Sequence, residues 1–154
     1  MSIKSLFTAV FDITRGNSHL VTEEDTNAVQ LDNADLFVTL HKLQKRGNRG
    51  ELRRFAISCA RSTLALEDPP EGWTSLVSFA ESFLNGSATK RERKEMQNKY
   101  ANVAMAASLV GLRNGCSNAA AFLAAYSTIR ASASIAAAEA AHYTQLHSQL
   151  RTND

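Results

Sequence analysis

Cys59, Cys116, His142 and His147 are the side chains of this sequence best suited to nucleophilic or metal chemistry. A nucleophilic cysteine needs a base within reach and a lowered pKa. Neither cysteine has a histidine near it in the sequence. Both fall on apolar helix faces in the spacing pattern, where a thiol packs as a small hydrophobe. His142 and His147 are five positions apart, which on a helix turns them about 140° from one another; a helical zinc site asks for an i,i+4 pair. Glu139 and His142 have the spacing of one half of a carboxylate-bridged di-iron site, and the second Glu-x-x-His half is missing. There is no Gly-rich phosphate loop, G-x-S-x-G elbow or HExxH pair. The expectation is a protein that is not an enzyme, with no catalytic residue, cofactor or metal.

The other chemistry available is charge. The net charge is only +2, yet it is arranged in blocks: residues 1–41 sum to −4, 42–66 to +6, 67–89 to −4, 90–113 to +4, and the remainder is neutral. Lys42, Lys45, Arg46, Arg49, Arg53, Arg54 and Arg61 make the first basic block, which Lys90, Arg91, Arg93 and Lys94 extend. Three uses are open: a solvated face paired with the acidic blocks, a surface that steers an acidic protein partner, or a nucleic-acid contact. A helix–turn–helix reader presents Asn, Gln or Arg at a recognition-helix N-terminus. Arg53 and Arg54 stand at such a place, but beside Glu51, which repels phosphate. Trp and Arg dominate interface hot spots. The candidate partner-binding residues are therefore Arg49, Arg53, Arg54, Arg61, Trp73, Arg91 and Arg93.

Helices must position these groups. Ile3, Leu6, Phe7, Val10 and Phe11 recur at helical spacing before Gly16. Thr22 followed by Glu23, Glu24 and Asp25 predicts a second helix start. Asp32 or Asn33 can cap a third helix through Leu36, Phe37, Leu40 and Leu43, with Lys42, Lys45 and Arg46 before Gly47. After the turn Gly47 to Gly50, Leu52, Phe55, Ala56, Cys59, Ala60 and Thr63 mark a helix face, closed by Pro69-Pro70. Trp73, Leu76, Val77, Ala80, Phe83 and Leu84 predict another, stopped by Asn85-Gly86. Thr89 and Glu92 form a capping box for a helix reaching Leu112. Asn114-Gly115 breaks the pattern, and Ser117 or Asn118 recaps a last helical region that kinks near Ser132-Ala133-Ser134. Between residues 101 and 141 roughly two in five residues are Ala, the strongest helix former, whose small side chain lets helices approach closely. No segment alternates as a strand does.

With 154 residues and 44% apolar composition, one sizeable core is possible without disulfide or metal staples. The N-terminus lacks a signal-peptide pattern, and charges interrupt the Ala-rich stretch, so no membrane association is expected. Two cysteines and no targeting segment indicate a cytoplasmic protein. The expected fold is all-α: a single domain over 1–154, a compact bundle of about six or seven helices with Ala-rich C-terminal helices.

Residues Glu51 to Arg61 (Glu-Leu-Arg-Arg-Phe-Ala-Ile-Ser-Cys-Ala-Arg), Phe79 to Thr89, and the Ala-rich tail resemble bacterial immunity proteins of the Imm-5-like type. The resemblance covers about residues 50–145, leaving 1–50 as N-terminal helices outside it and 51–150 as the immunity-like region. It implies an inhibitor that neutralises a protein partner by stoichiometric contact, and it carries over no catalytic residue. Many relatives hold more His in their last helices than this chain, which keeps His142 and His147. A phage or mobile-element inhibitor of a bacterial defence complex, an anti-CRISPR-like protein, would share these features, and on either reading the expected protein partner is a toxin or a defence-complex subunit. A nucleic-acid-binding regulator is a further alternative. The Ala-rich final helix could also be a homodimer seam.

Overall fold

A computed structural model describes residues 33–152, which form six α-helices with no strand among them. These are α1 (Asn33–Arg46), α2 (Arg49–Ala65), α3 (Glu71–Leu84), α4 (Lys90–Ala106), α5 (Ser117–Ser127) and α6 (Ala133–Thr152). The all-α bundle expected from the sequence is the one observed. The two helices expected around Ile3–Phe11 and from Glu23 lie outside the described residues, as does Asp32.

Local signals set most of the boundaries. Asn48, expected in a turn, is the N-cap of α2: its side chain accepts from the Glu51 N–H at 2.8 Å, and the Glu51 carboxylate accepts from the Asn48 N–H at 3.1 Å. Thr89 and Glu92 make the same reciprocal cap at α4. Each cap satisfies backbone donors that the helix leaves without partners. α3 ends where Gly86 takes φ of 86°, a region open to glycine because it lacks Cβ. α4 runs on through a π-helical turn, Ala107–Gly111, closed by Leu112 N–H to the Ala107 carbonyl at 2.9 Å. Gly111 sits against α5 so closely that a Cβ there would lie 2.6 Å from the Ala119 Cβ.

The core has two parts with α2 between them. On one side Leu52, Phe55, Ala56 and Cys59 pack against Leu40 and Leu43 of α1 and against Ala133, Ala136, Ala137, Ala140 and Ala141 of α6. On the other, Ile57, Ala60 and Leu64 meet Leu76, Val77 and Ala80 of α3, Ala104 of α4, and α5. Residues Ala119 to Ala125 of α5 are all buried, as befits a helix apolar on every side. Each fully buried Phe or Leu contributes roughly 1.5–3 kcal/mol. The many buried alanines contribute less individually and let α2, α5 and α6 approach closely. The last helical region is two helices rather than one kinked helix. α5 stops at Ser127 and α6 begins at Ala133, with no Gly or Pro between them.

Candidate functional site

The turn between α5 and α6 is held by two guanidinium groups. A helix end leaves carbonyls without intrahelical partners and carries partial negative charge. Arg53 Nη1 donates to the Thr128 carbonyl at 2.7 Å and the Arg130 carbonyl at 2.9 Å, and Nη2 donates to the Ala131 carbonyl at 3.3 Å. Arg93 Nη1 donates to the Ile129 carbonyl at 2.9 Å and to Gln97 Oε1 at 2.6 Å. Arg53 is 5% exposed and Arg93 9%. Burial lowers the Arg53 pKa, and the Arg93 cation lowers it further. These two residues, expected at an exposed contact surface, are instead packed inside, because the broken helix needs donors for its last carbonyls.

Beside this turn lies an open cleft of about 670 Å³. It is lined by Arg49, Gly50 and Arg53 from α2, Phe83 and Leu84 from α3, Lys90 from α4, and residues 131–134 at the start of α6. The first turns of three helices meet here, each with the positive end of its dipole. Three lining residues are cationic and none is acidic. The nearby carboxylates of Glu51 and Glu92 are turned back onto their own helix caps. The Arg53 guanidinium carbon stands 5.0 Å from the centre of the Phe83 ring, a cation–π contact.

The other candidates divide. Arg54 and Arg91, each next in sequence to a lining residue, are exposed. Arg91 pairs with Glu95 one turn along at 3.2 Å. Arg61 is engaged by Glu81, with Nε donating at 2.9 Å. Trp73 is half-buried against Phe122, with ring centroids 5.3 Å apart. Arg49 and Arg53 are thus brought together with Lys90 in the cleft, while Arg61 and Trp73 are engaged in other contacts.

A second polar cluster joins residues far apart in the chain. Glu67 Oε1 accepts from Ser117 Oγ at 2.9 Å and from Arg151 Nη1 at 3.3 Å, and lies 2.8 Å from His147 Nε2. His147 is fully buried, and its Nδ1 has no hydrogen-bond partner among the described residues. Burial lowers the His147 pKa, partly offset by Glu67; Glu67 is therefore the acceptor and Nε2 carries the proton. Sequence spacing offered no signal for this cluster, since its members are 50 to 84 positions apart in the bonds they make. Serine and histidine both bond to the carboxylate and not to one another, so this is no nucleophile–base pair. Cys59 is buried, as expected, while Cys116 is exposed just before α5. Cys116 does not lie on the expected apolar helix face: the chain leaves the helical register after Leu112, and Gly115 takes φ of 72°. Among the described residues no group of His, Cys, Asp and Glu could hold a metal, and no helix is long and apolar enough to cross a membrane.

On α4 and the π-helical turn, Val103, Met105, Leu109 and Val110 are exposed. The chain matches no protein-family model, no curated protein and no solved structure.

Proposed function

We propose that this protein is a non-enzymatic binding protein that neutralises an acidic protein partner by stoichiometric contact, as bacterial immunity proteins do. The observation that carries this reading is the charge of the cleft: Arg49, Arg53 and Lys90 with no acidic lining residue, at the junction of three helix N-termini. Complementary charge speeds encounter and selects partners, and Arg54 extends the positive surface into solvent. The free thiols Cys59 and Cys116 suit a reducing cytoplasm. The Ala-rich face of α6, the expected homodimer seam, packs against α1 and α2 within the chain; a homodimer would instead use the exposed apolar residues from Val103 to Val110, and light scattering over a range of concentrations tests that state.

The reading is tested by affinity capture from lysate of the source organism, treated with nuclease. The wild-type protein is compared with a variant carrying Arg49→Glu, Arg54→Glu and Arg91→Glu, all exposed and so compatible with folding. One acidic protein retained in stoichiometric amount by the wild type and lost by the variant is the expected result. The identity of that protein, toxin or defence-complex subunit, then fixes the biological role. Equal retention by both forms, or capture that disappears with nuclease, overturns the proposal.

A further inference from the structure

We infer that the cleft is a carboxylate-binding pocket anchored by Arg53, which takes an Asp or Glu side chain presented by the partner. This inference rests on the protein-binding reading above and names the group recognised. A guanidinium has five N–H donors. Arg53 directs three of them at the carbonyls of Thr128, Arg130 and Ala131. Its Nε–H and one Nη2–H have no acceptor among the described residues. The Nε edge of a guanidinium, Nε–H with the Nη2–H beside it, is a flat fork that matches the two oxygens of a carboxylate. The carbonyl bonds and the Phe83 ring hold the guanidinium in place, so little side-chain freedom is lost when an anion docks.

The electrostatic setting favours the same ligand. Arg53 and Arg93 lie close enough to repel, and their bonded partners are neutral carbonyls and the Gln97 amide. Arg49 and Lys90 add two more positive charges at the cleft. An entering anion therefore meets three cationic lining residues and no acidic one. Phe83, Leu84, Ala131 and Ala133 give the cleft apolar wall as well, which suits an acidic residue flanked by apolar neighbours. A nucleic-acid strand asks for something different, an extended cationic groove with aromatic stacking platforms.

The test is side-chain NMR of the arginine Nε–H groups, with a capped Leu-Glu-Leu peptide as probe and Leu-Gln-Leu as its neutral counterpart. The Glu peptide is expected to shift the Arg53 Nε–H signal to saturation with one-to-one stoichiometry, and the Gln peptide to leave it in place. Arg49→Gln with Lys90→Gln, which removes two charges and keeps the fork, is expected to weaken the Glu peptide about tenfold. An Arg53 signal that fails to move with the Glu peptide overturns the pocket, as does an equal shift with the Gln peptide. Tighter binding of inorganic phosphate or of an oligonucleotide overturns the carboxylate assignment. If the pocket fails while capture of the partner still depends on Arg54 and Arg91, the protein-binding reading survives alone. If the peptide binds and no partner is captured, that reading fails and the pocket stands.

Discussion

Arg53 and Thr128 are 75 positions apart in the chain and joined by a 2.7 Å hydrogen bond from guanidinium to carbonyl. The bond ties the first turns of α2 to the end of α5, and the same side chain lines the basic cleft. Fold and site therefore share a residue. The break between α5 and α6 persists without Gly or Pro because Arg53 and Arg93 satisfy the carbonyls that the broken helix exposes.

Replacing Arg53 removes three donors and leaves the buried Thr128 carbonyl without that partner. Arg53→Met is expected to cost about 2–4 kcal/mol of folding stability, the range for stranding buried polar groups. Arg54→Ala, one position along and exposed, should change stability by less than about 0.5 kcal/mol. Urea denaturation of the two variants checks the contrast. Equal effects would show that the guanidinium does not hold the turn.

Gly111 and Ala119 set how closely the π-helical turn approaches α5. A methyl at position 111 would meet the Ala119 methyl at 2.6 Å, and both are fixed to backbone, so helices must separate to admit it. Gly111→Ala is expected to destabilise by roughly 1–3 kcal/mol, whereas Ser108→Ala on the exposed side should be nearly neutral. Thermal unfolding of both variants distinguishes a tight helix contact from a simple helix-propensity effect, which would make Gly111→Ala stabilising.

Acid should weaken the fold in two stages. Burial holds the His147 pKa below its ordinary 6.5. Below that pH the unfolded chain takes up a proton that the folded chain resists, so stability falls as pH drops from 6.5 toward the lowered value. For Glu67, burial acts to raise the pKa, but hydrogen bonds from His147, Ser117 and Arg151 outweigh it and bring the carboxylate below its ordinary 4.5. Its contribution is complete above 4.5 and is lost as pH falls through the folded value. Urea midpoints at pH about 7.5 and about 5.5 should therefore differ more for the wild type than for His147→Gln. An unchanged difference would remove His147 from the explanation.

The two thiols should behave oppositely. Burial pushes the Cys59 thiol up to about 12, leaving it protonated and enclosed, whereas Cys116 is exposed. Iodoacetamide is expected to modify Cys116 alone in the folded protein and both residues after unfolding. Mass mapping of the adducts checks this. Modification of Cys59 in the native state would contradict its enclosure in the α1–α2–α6 core.

The helices were legible because their signals are local. Thr89 with Glu92, Asn85-Gly86 and the apolar spacing of Leu76, Val77 and Ala80 need no knowledge of what packs nearby, and each stands as expected. Asn48 sits among turn residues in the sequence, but its reciprocal bond with Glu51 makes it a cap. Local sequence shows the α5–α6 break only as a kink, because the donors that stabilise it come from Arg53 and Arg93, 75 and 36 positions away. The same cause hid part of the site. Charge spacing identifies Arg49 and Arg53 as neighbours but cannot show which cation faces solvent. Nor does any sequence interval bring Phe83 and Lys90 to the start of α6.

Site-specific photo-crosslinking shows whether the cleft is where an acidic protein docks, because it reports where the partner sits and what it is. Ser134 lines the cleft and is exposed, and Gln149 is exposed on the same helix, about 22 Å further along its axis. With a photoreactive residue at each position in turn, protein adducts that acidic peptide suppresses are expected from position 134, and none from position 149. Adducts from position 149 alone, or adducts from position 134 composed of nucleic acid, would exclude the cleft as the protein-docking site.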